Sequence, residues 1–420
     1  MGIPCDDFVV VRQPETSGEP TVITVNCPDK TGLGCDLCRI ILSFGLNIVR
    51  GDVSTDGKWC FILFWVVGRD SGAQPRWGLL KKRLLGACPA ASRASGLYNS
   101  FYRLQELLLL EQQPQVFLIK FCCYDRLGLL HDVTQVLCEL ELIIRRVKVS
   151  TTPEGRVMDL FFITDTRELL HTKKRQEETM DALRAVLGDS MTSCEIELAS
   201  EDIAACLQAS SCLPLAIIEE MSSFELPQEP PGGYRPLSHN LSVTMDNSLS
   251  PVHSLIQIVC PDHKGLLYDI MRTLKDYNIQ ISYGRFYSSL NGLCELDLFV
   301  MHTDGKKIID PNKQKALCER LRLEIFHPLR VTVVSRGPDT ELLVANPVEV
   351  SGKGRPLVFY DITLALKLLR TRIFLAEIGR HVVGDREWEV YRLLLGDENE
   401  SNMSKDKIVE KVTKMLMGWE

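Results

Sequence analysis

The stretch LIQIVCPDHKGLLYDIMRTLKDYNIQISYGRFYSSLNGLCELDLFV, residues 255–300, decides the fold. Ile256, Ile258 and Cys260 alternate onto one face of a short strand, which ends at the turn Pro261-Asp262-His263-Lys264-Gly265. Leu267, Ile270, Met271 and Leu274 then recur at i, i+3, i+4 and i+7, the one-sided apolar stripe of a helix laid on a core. Two further alternating runs, Ile279-Ile281-Tyr283 and Leu296-Leu298-Val300, flank turn residues 288–292. A charged amphipathic helix over 313–323 and an apolar strand over 331–334 complete the order β-α-β-β-α-β. That order predicts an α+β, ferredoxin-like plait.

The pattern recurs along the chain. TVITVNCPDKTGLGCDLCRIILSFGLNIVRGDV begins at Thr21 and VFLIKFCCYDRLGLLHDVTQVLCELELIIRRVKV at Val116. All three copies carry Cys-x-Asp-x-x-Gly-Leu between strand and helix, then a helix aspartate: Asp36, Asp132 or Asp269. A fourth copy, GKGRPLVFYDITLALKLLRTRIFLAEI from Gly352, keeps Asp361 but has Gly354-Arg355-Pro356-Leu357 in place of the Asp-x-x-Gly turn. Such self-similarity means tandem units.

The organisation read from it is a leader at 1–20, repeat one at 21–110, repeat two at 116–199, an insertion at 200–252, repeat three at 253–336 and a degenerate repeat four at 340–420. Strands are expected at 8–12, 195–198 and 241–245, and second helices at 76–85 and 173–187, the latter stopped by Gly188. Residues 97–110 read as strand from Tyr98, Phe101 and Tyr102, and as helix from their leucines. Nothing after a helix at 405–417 is left to form a last strand for repeat four. Pro227, Pro230, Pro231, Gly232 and Gly233 make the insertion the expected hinge between two pairs of repeats.

Asp-x-x-Gly-Leu-Leu between strand and helix, followed by an Asn-Ile-like second strand, resembles the ACT domain, a regulatory amino-acid-binding module. Val243-Thr244-Met245-Asp246-Asn247 ahead of the Gly-Leu-Leu-Tyr-Asp-Ile helix is similar to the last ACT domain of bacterial PII uridylyltransferase. A chain of such units and little else resembles the plant ACT domain repeat (ACR) proteins. The resemblance implies tandem βαββαβ (ACT) domains, four copies with the fourth degenerate. It also implies side-by-side pairing into eight-stranded sheets, here repeat one with two and three with four, with a free amino acid bound where paired units meet. Glutamine is the first ligand it suggests.

Composition agrees with a multidomain protein without membrane or nucleic-acid business. The net charge of −7 and the lack of basic clusters interleaved with aromatics argue against nucleic acid as a partner. The apolar run at 60–67 has the length of one strand and is too short to span a bilayer. No charged segment followed by an apolar one opens the chain, so secretion is not expected. Gly2 invites myristoylation, but Asp6 stands where that signal needs Ser or Thr. The fifteen cysteines fall within strands and helices and read as buried thiols. The cytoplasm is the expected compartment; the nucleus stays open, since Lys173-Lys174-Arg175 reads as a solvated helix face.

An amino acid offers a carboxylate, an ammonium and a side chain. Unpaired N–H groups at the start of the first helix, after Gly32 and Leu33, Gly128 and Leu129, or Gly265 and Leu266, suit the carboxylate. Asp29, Asp125 and Asp262 suit the ammonium, or else simply cap the turn. The resemblance places a second polar side chain at the start of the second strand: Asn47, Ile143, Gln280 and Arg372 in the four repeats. An amide there both donates and accepts, so repeats one and three are the best candidate sites.

Several motifs are set aside. Cys35-x-x-Cys38 lies on an apolar helix with no second pair nearby, which disfavours metal. Cys27, Cys123 and Cys260 recur without a neighbouring base, so they read as a packing slot rather than nucleophiles. His131-Asp132 matches Cys35-Asp36 and Tyr268-Asp269 in position, so it reads as a helix start, not a metal pair. The helix aspartates sit in first turns, where negative charge is stabilising. No phosphate-cradling Gly-Lys-Ser/Thr loop occurs. The expected function is a non-catalytic, cofactor-free amino-acid sensor that modulates a partner protein, with a homodimer left open. The alternative is a protein-interaction scaffold that has lost ligand binding.

Overall fold

The computed structural model describes residues 8–419 apart from 17, 69–74, 90–114, 168, 201–211, 224–240, 290, 338, 385 and 397–403. The reading of 97–110 therefore lies outside the described residues. The chain divides into two units: 1–100 with 224–328 and 419–420, and 101–223 with 329–418.

In chain order the first repeat comprises β1 (Val9–Arg12), β2 (Thr21–Pro28), α1 (Leu33–Ser43), β3 (Asn47–Thr55), β4 (Trp59–Val67) and α2 (Trp77–Ala87). The second has β5 (Phe117–Tyr124), α3 (Leu129–Glu139), β6 (Leu142–Thr151), β7 (Arg156–Asp165), α4 (Lys173–Leu187) and β8 (Met191–Leu198). A short helix α5 (Leu215–Ser222) and β9 (Ser242–Asp246) follow. Then come β10 (Ser254–Pro261), α6 (Leu266–Asp276), β11 (Ile279–Ser288), β12 (Leu293–His302) and α7 (Pro311–Phe326). The chain closes with β13 (Arg330–Arg336), β14 (Asp339–Pro347), α8 (Val358–Leu368), β15 (Arg372–Val383), β16 (Arg386–Gly396) and α9 (Lys405–Met417).

Each unit is built on one eight-stranded antiparallel sheet, ordered β1-β2-β4-β3-β11-β12-β10-β9 in the first and β13-β14-β16-β15-β6-β7-β5-β8 in the second. Alternation along each strand sends every second side chain under the helices: Ile23, Val25 and Cys27 of β2 join Leu37, Ile41 and Leu267 in the first core. In the second unit Leu342 and Val344 face the main core. Their alternates Leu343 and Ala345 meet Ile217 and Met221 of α5 on the opposite face.

The pairing of repeats departs from expectation. The first sheet joins repeat one to three, with Asp52 of β3 opposite Arg285 of β11. The second joins repeat two to four, with Lys148 of β6 opposite Glu377 of β15. Counted from the helix aspartates, both joints have the same register. Consecutive repeats are therefore not the partners, and the insertion after repeat two does not separate two pairs.

The edge strands correct a second expectation. Residues 331–334 do not close repeat three: within β13 they pair with β14 in the other sheet. The edge beside β10 is held by β9. Likewise β1 fills the edge beside β2. Among the described residues, only repeat two takes its edge strand, β8, from its own C-terminal side. The reason is local: Arg336 opposite Asp339 makes β13 and β14 a tight hairpin. Closing so short a loop costs far less entropy than reaching back around a helix. The same hairpin supplies repeat four with its edge strand, β13.

Candidate functional site

The first cleft forms where repeat one meets repeat three. Its rim is the turn from β2 to α1 and the start of β11. Gln280 Nε2 donates to Asp29 Oδ2 at 3.2 Å, across the joint between repeats. Thr55, at the end of β3, donates its hydroxyl to the same oxygen at 2.6 Å. Gly32 is the N-cap of α1 in the left-handed region, φ 78°, and no side chain caps the helix. The first-turn N–H groups thus face the rim without a side-chain cap. Lys275 of α6 lies over Gly32, where a Cβ would meet its Cε at 2.7 Å. Its ammonium is 3.6 Å from Asp36, which also holds Lys30 at 2.9 Å.

Behind this rim the cleft, counted with its space open to solvent, takes in ≈ 790 Å³ and runs between the helix pair and the joined strands. Val53, Ile62, Phe64, Met271, Leu274 and Leu298 line its depth. Asp52 and Arg285, which also border it, pair with each other at 3.5 Å. In all four second strands the register slips by one residue just after the start: between Ile48 and Arg50, Ile144 and Arg146, Ile281 and Tyr283, and Ile373 and Leu375. Such bulges bend a strand and re-aim its side chains, here at the end that delivers Gln280 to the neighbouring turn.

The reciprocal cleft, related by exchange of the two repeats, is closed down to ≈ 300 Å³. Asn47 donates to Asp262, and Ser288 Oγ does so at 3.2 Å. Burial raises the Asp262 carboxyl above the ordinary range, against these hydrogen bonds. Tyr268, fully buried, occupies the place that Cys35 holds in the first cleft, and Trp419 lines this cleft beside it. Asn47 and Gln280 thus each serve the aspartate of the other repeat, not their own.

In the second unit Asp125, Gly128 and Leu129 line a cleft of ≈ 390 Å³ with Thr371 and Arg372 of repeat four. Asp132 binds Arg126 at 2.5 Å and Lys367 at 2.6 Å, and Lys367 lies over Gly128 as Lys275 lies over Gly32. His131 faces Thr363 at 3.2 Å. The turn of repeat four is filled by its own side chains: Asn346 Nδ2 donates to Glu389 Oε2 at 3.2 Å, and a Cβ on Gly354 would collide with Asn346 at 2.7 Å. Leu357 nevertheless keeps the left-handed conformation of the missing glycine, φ 64°. Ile143 is exposed.

Thr55 and Ser288 escaped the sequence reading. Their signal is a hydroxyl nineteen residues after each helix aspartate in the first three repeats (Thr55, Thr151, Ser288). The recurring cysteines are buried packing groups: burial pushes Cys123 and Cys260 up to about 12, and hydrogen bonding beside Cys60 and Cys88 pushes Cys27 higher still. Among the described residues no group of three or more His, Cys, Asp or Glu could hold a metal. No described helix is long and apolar enough to cross a membrane.

Comparison with known proteins gives a family match within each of the four repeats. Residues 11–89 match the N-terminal region of ACT domain-containing protein ACR10, 117–179 the ACT domain, 242–339 the ACR9-like, ACT-like domain, and 340–418 the C-terminal region of ACT domain-containing protein ACR9. The chain is 57% identical to ACT domain-containing protein ACR10 and 53% identical to ACT domain-containing protein ACR9, both of Arabidopsis thaliana, over 100% of each chain. It is 34% identical over 87 residues to a bifunctional uridylyltransferase/uridylyl-removing enzyme of Azospirillum brasilense, 20% of this chain and 9% of that one.

Proposed function

The chain belongs to the ACR family of ACT domain-containing proteins, and on that premise we propose that it is an amino-acid-responsive regulator whose ligand occupies the first cleft. One observation carries the reading: Gln280 of repeat three reaches the Asp29 turn of repeat one across a cleft of ≈ 790 Å³. In this reading the ligand's ammonium meets Asp29. Its carboxylate meets the Gln280 amide and the uncapped start of α1. Its side chain runs inward among Val53, Ile62, Phe64 and Met271. That lining suits an apolar side chain better than the amide of glutamine, whose burial without partners costs about 1–3 kcal/mol. A ligand so placed bridges two repeats. It favours the joint in one geometry and thereby alters affinity for a partner protein. No catalysis is involved; uridylyl transfer by the purified protein would overturn that part.

Thermal unfolding against each of the twenty amino acids tests the proposal. A ligand held only by the folded state at one hundred times its dissociation constant adds about 2.7 kcal/mol. One amino acid is expected to raise the transition, and Asp29→Asn and Gln280→Ala to abolish the rise. The filled turn of repeat four favours a second reading, the scaffold without ligand. A flat response to all twenty would select it.

A further inference from the structure

Repeat one contains a sulfur cluster that repeats two and three do not reproduce. Cys27 of β2 lies opposite Cys60 of β4 in the sheet, and Cys88 caps the C-terminal end of α2. The Cys27 thiol is hydrogen-bonded with both of the others, so it stands between two sulfurs. Cys27 and Cys60 are buried, whereas Cys88 is half-buried. Repeat three keeps the first two members as Cys260 and Cys294, again opposed in the sheet and buried. It lacks the third: the residue that caps its second helix is His327, and in repeat two it is Gly188. A thiol buried among apolar groups is inert, because no reagent in solvent reaches it. Cys27 is placed differently, with a half-buried sulfur against it.

We propose that Cys88 and Cys27 are a hydroperoxide-reactive pair that closes to a disulfide. The Cys88 thiolate attacks one oxygen of the peroxide. A sulfur–oxygen bond forms, the oxygen–oxygen bond breaks, and the departing hydroxide takes up a proton to leave as water. Cys88 is then a sulfenic acid. Cys27, already in contact with it, displaces the hydroxyl group, which leaves as a second water with the proton of the Cys27 thiol. Two thiols and one peroxide thus become one disulfide and two waters, and a dithiol reductant reverses the change. The protonation states suit these roles. Hydrogen bonding with Cys27 lowers the Cys88 pKa below the ordinary thiol value, burial opposing it and Lys30 assisting, while Cys27 is raised and keeps its proton. Before reaction the Cys88 thiol donates to Leu84 O at 3.3 Å. The new bond ties the end of α2 to the last turn-side residues of β2, two positions ahead of Asp29. It is a modification of the chain itself and does not rest on any ligand in the first cleft.

Treatment of the reduced full chain with near-stoichiometric hydrogen peroxide tests it, followed by alkylation of the remaining thiols and peptide mapping, in the wild type, Cys88→Ser and Cys27→Ala. In the wild type a peptide linking Cys27 to Cys88 is expected, lost again on treatment with a dithiol. Cys88→Ser changes a half-buried position and should fold as the wild type does; its Cys27 should be oxidised at least about tenfold more slowly. In Cys27→Ala the reaction should stop at the sulfenic acid, so that a cyclic 1,3-diketone tags Cys88. Unchanged oxidation of Cys27 in Cys88→Ser overturns the proposal, because entry then does not pass through Cys88. So does a wild type in which Cys88 remains fully alkylable after peroxide, or in which Cys27 links to Cys60 with Cys88 free. An untagged Cys88 in a folded Cys27→Ala protein overturns it as well, since no sulfenic acid then precedes the disulfide.

Discussion

His131 sits buried on α3, its Nδ1 3.2 Å from Thr363 Oγ1 and its ring centroid 4.9 Å from that of Tyr360. Burial first, then Lys367, lowers its pKa below the ordinary histidine value, with Asp132 acting the other way. The folded chain therefore keeps the ring neutral where the unfolded chain has begun to bind a proton. The stability linked to this group is whole above about pH 6.5 and is lost as pH falls below it, towards the lowered folded value. His131→Gln should flatten the loss between about pH 6.5 and pH 5 by up to about 1.4 kcal/mol per pH unit. Urea unfolding across that range reads the difference; parallel slopes for wild type and variant would remove His131 from the account. His381, also lowered by burial, is present in both proteins and cancels. At this scale much was legible. Asp29, Gly32, Asn47, Asp262 and Gln280 stand out in the sequence by residue type and repeat position. Their partners did not, because which turn a strand start faces depends on the neighbouring repeat. Leu357 was illegible for another reason: the packed turn imposes a left-handed backbone that a leucine adopts only at a cost of about 1–2 kcal/mol.

Among the elements, the joint between β3 and β11 is closely packed. A Cβ on Gly284 would lie 2.8 Å from both Val53 Cγ1 and Leu298 Cδ2. Gly284→Val raises strand propensity yet overfills this space. A net loss of about 1–3 kcal/mol is expected, because overpacking exceeds the propensity gain. The urea midpoint measures it, and a stabilised variant would mean that the two strands can separate without penalty. The helices and central strands followed from periodicity because each buries one face, whichever neighbour covers it. The edge strands did not. The residues of β13 alternate well enough for either sheet, and the deciding term is the short hairpin to β14, an entropic preference that a hydrophobic pattern does not encode.

For the molecule, the choice of partners leaves one trace in the sequence. Lysine stands six residues after the helix aspartate in repeats three and four, Lys275 and Lys367, where repeats one and two have Leu42 and Cys138. Joining one to three and two to four gives each sheet one lysine facing the helix aspartate of its partner repeat, Asp36 or Asp132. Joining consecutive repeats would place both lysines in one sheet and none in the other. The pairs are partly exposed and stabilise only modestly, so this charge match specifies the partner more than it holds it. The topology makes a sharper claim about the chain cut between residues 199 and 200. The fragment 1–199 contains β3 and β6 but neither of their partners, β11 and β15. Two unpaired sheet edges should leave it prone to association and without a cooperative transition. Adding the fragment 200–420 should restore both eight-stranded sheets, seen as recovery of a single sharp unfolding curve in the stoichiometric mixture. If 1–199 instead unfolds cooperatively as a monomer, repeats one and two suffice for each other, and the interleaved pairing is not what drives this chain to fold.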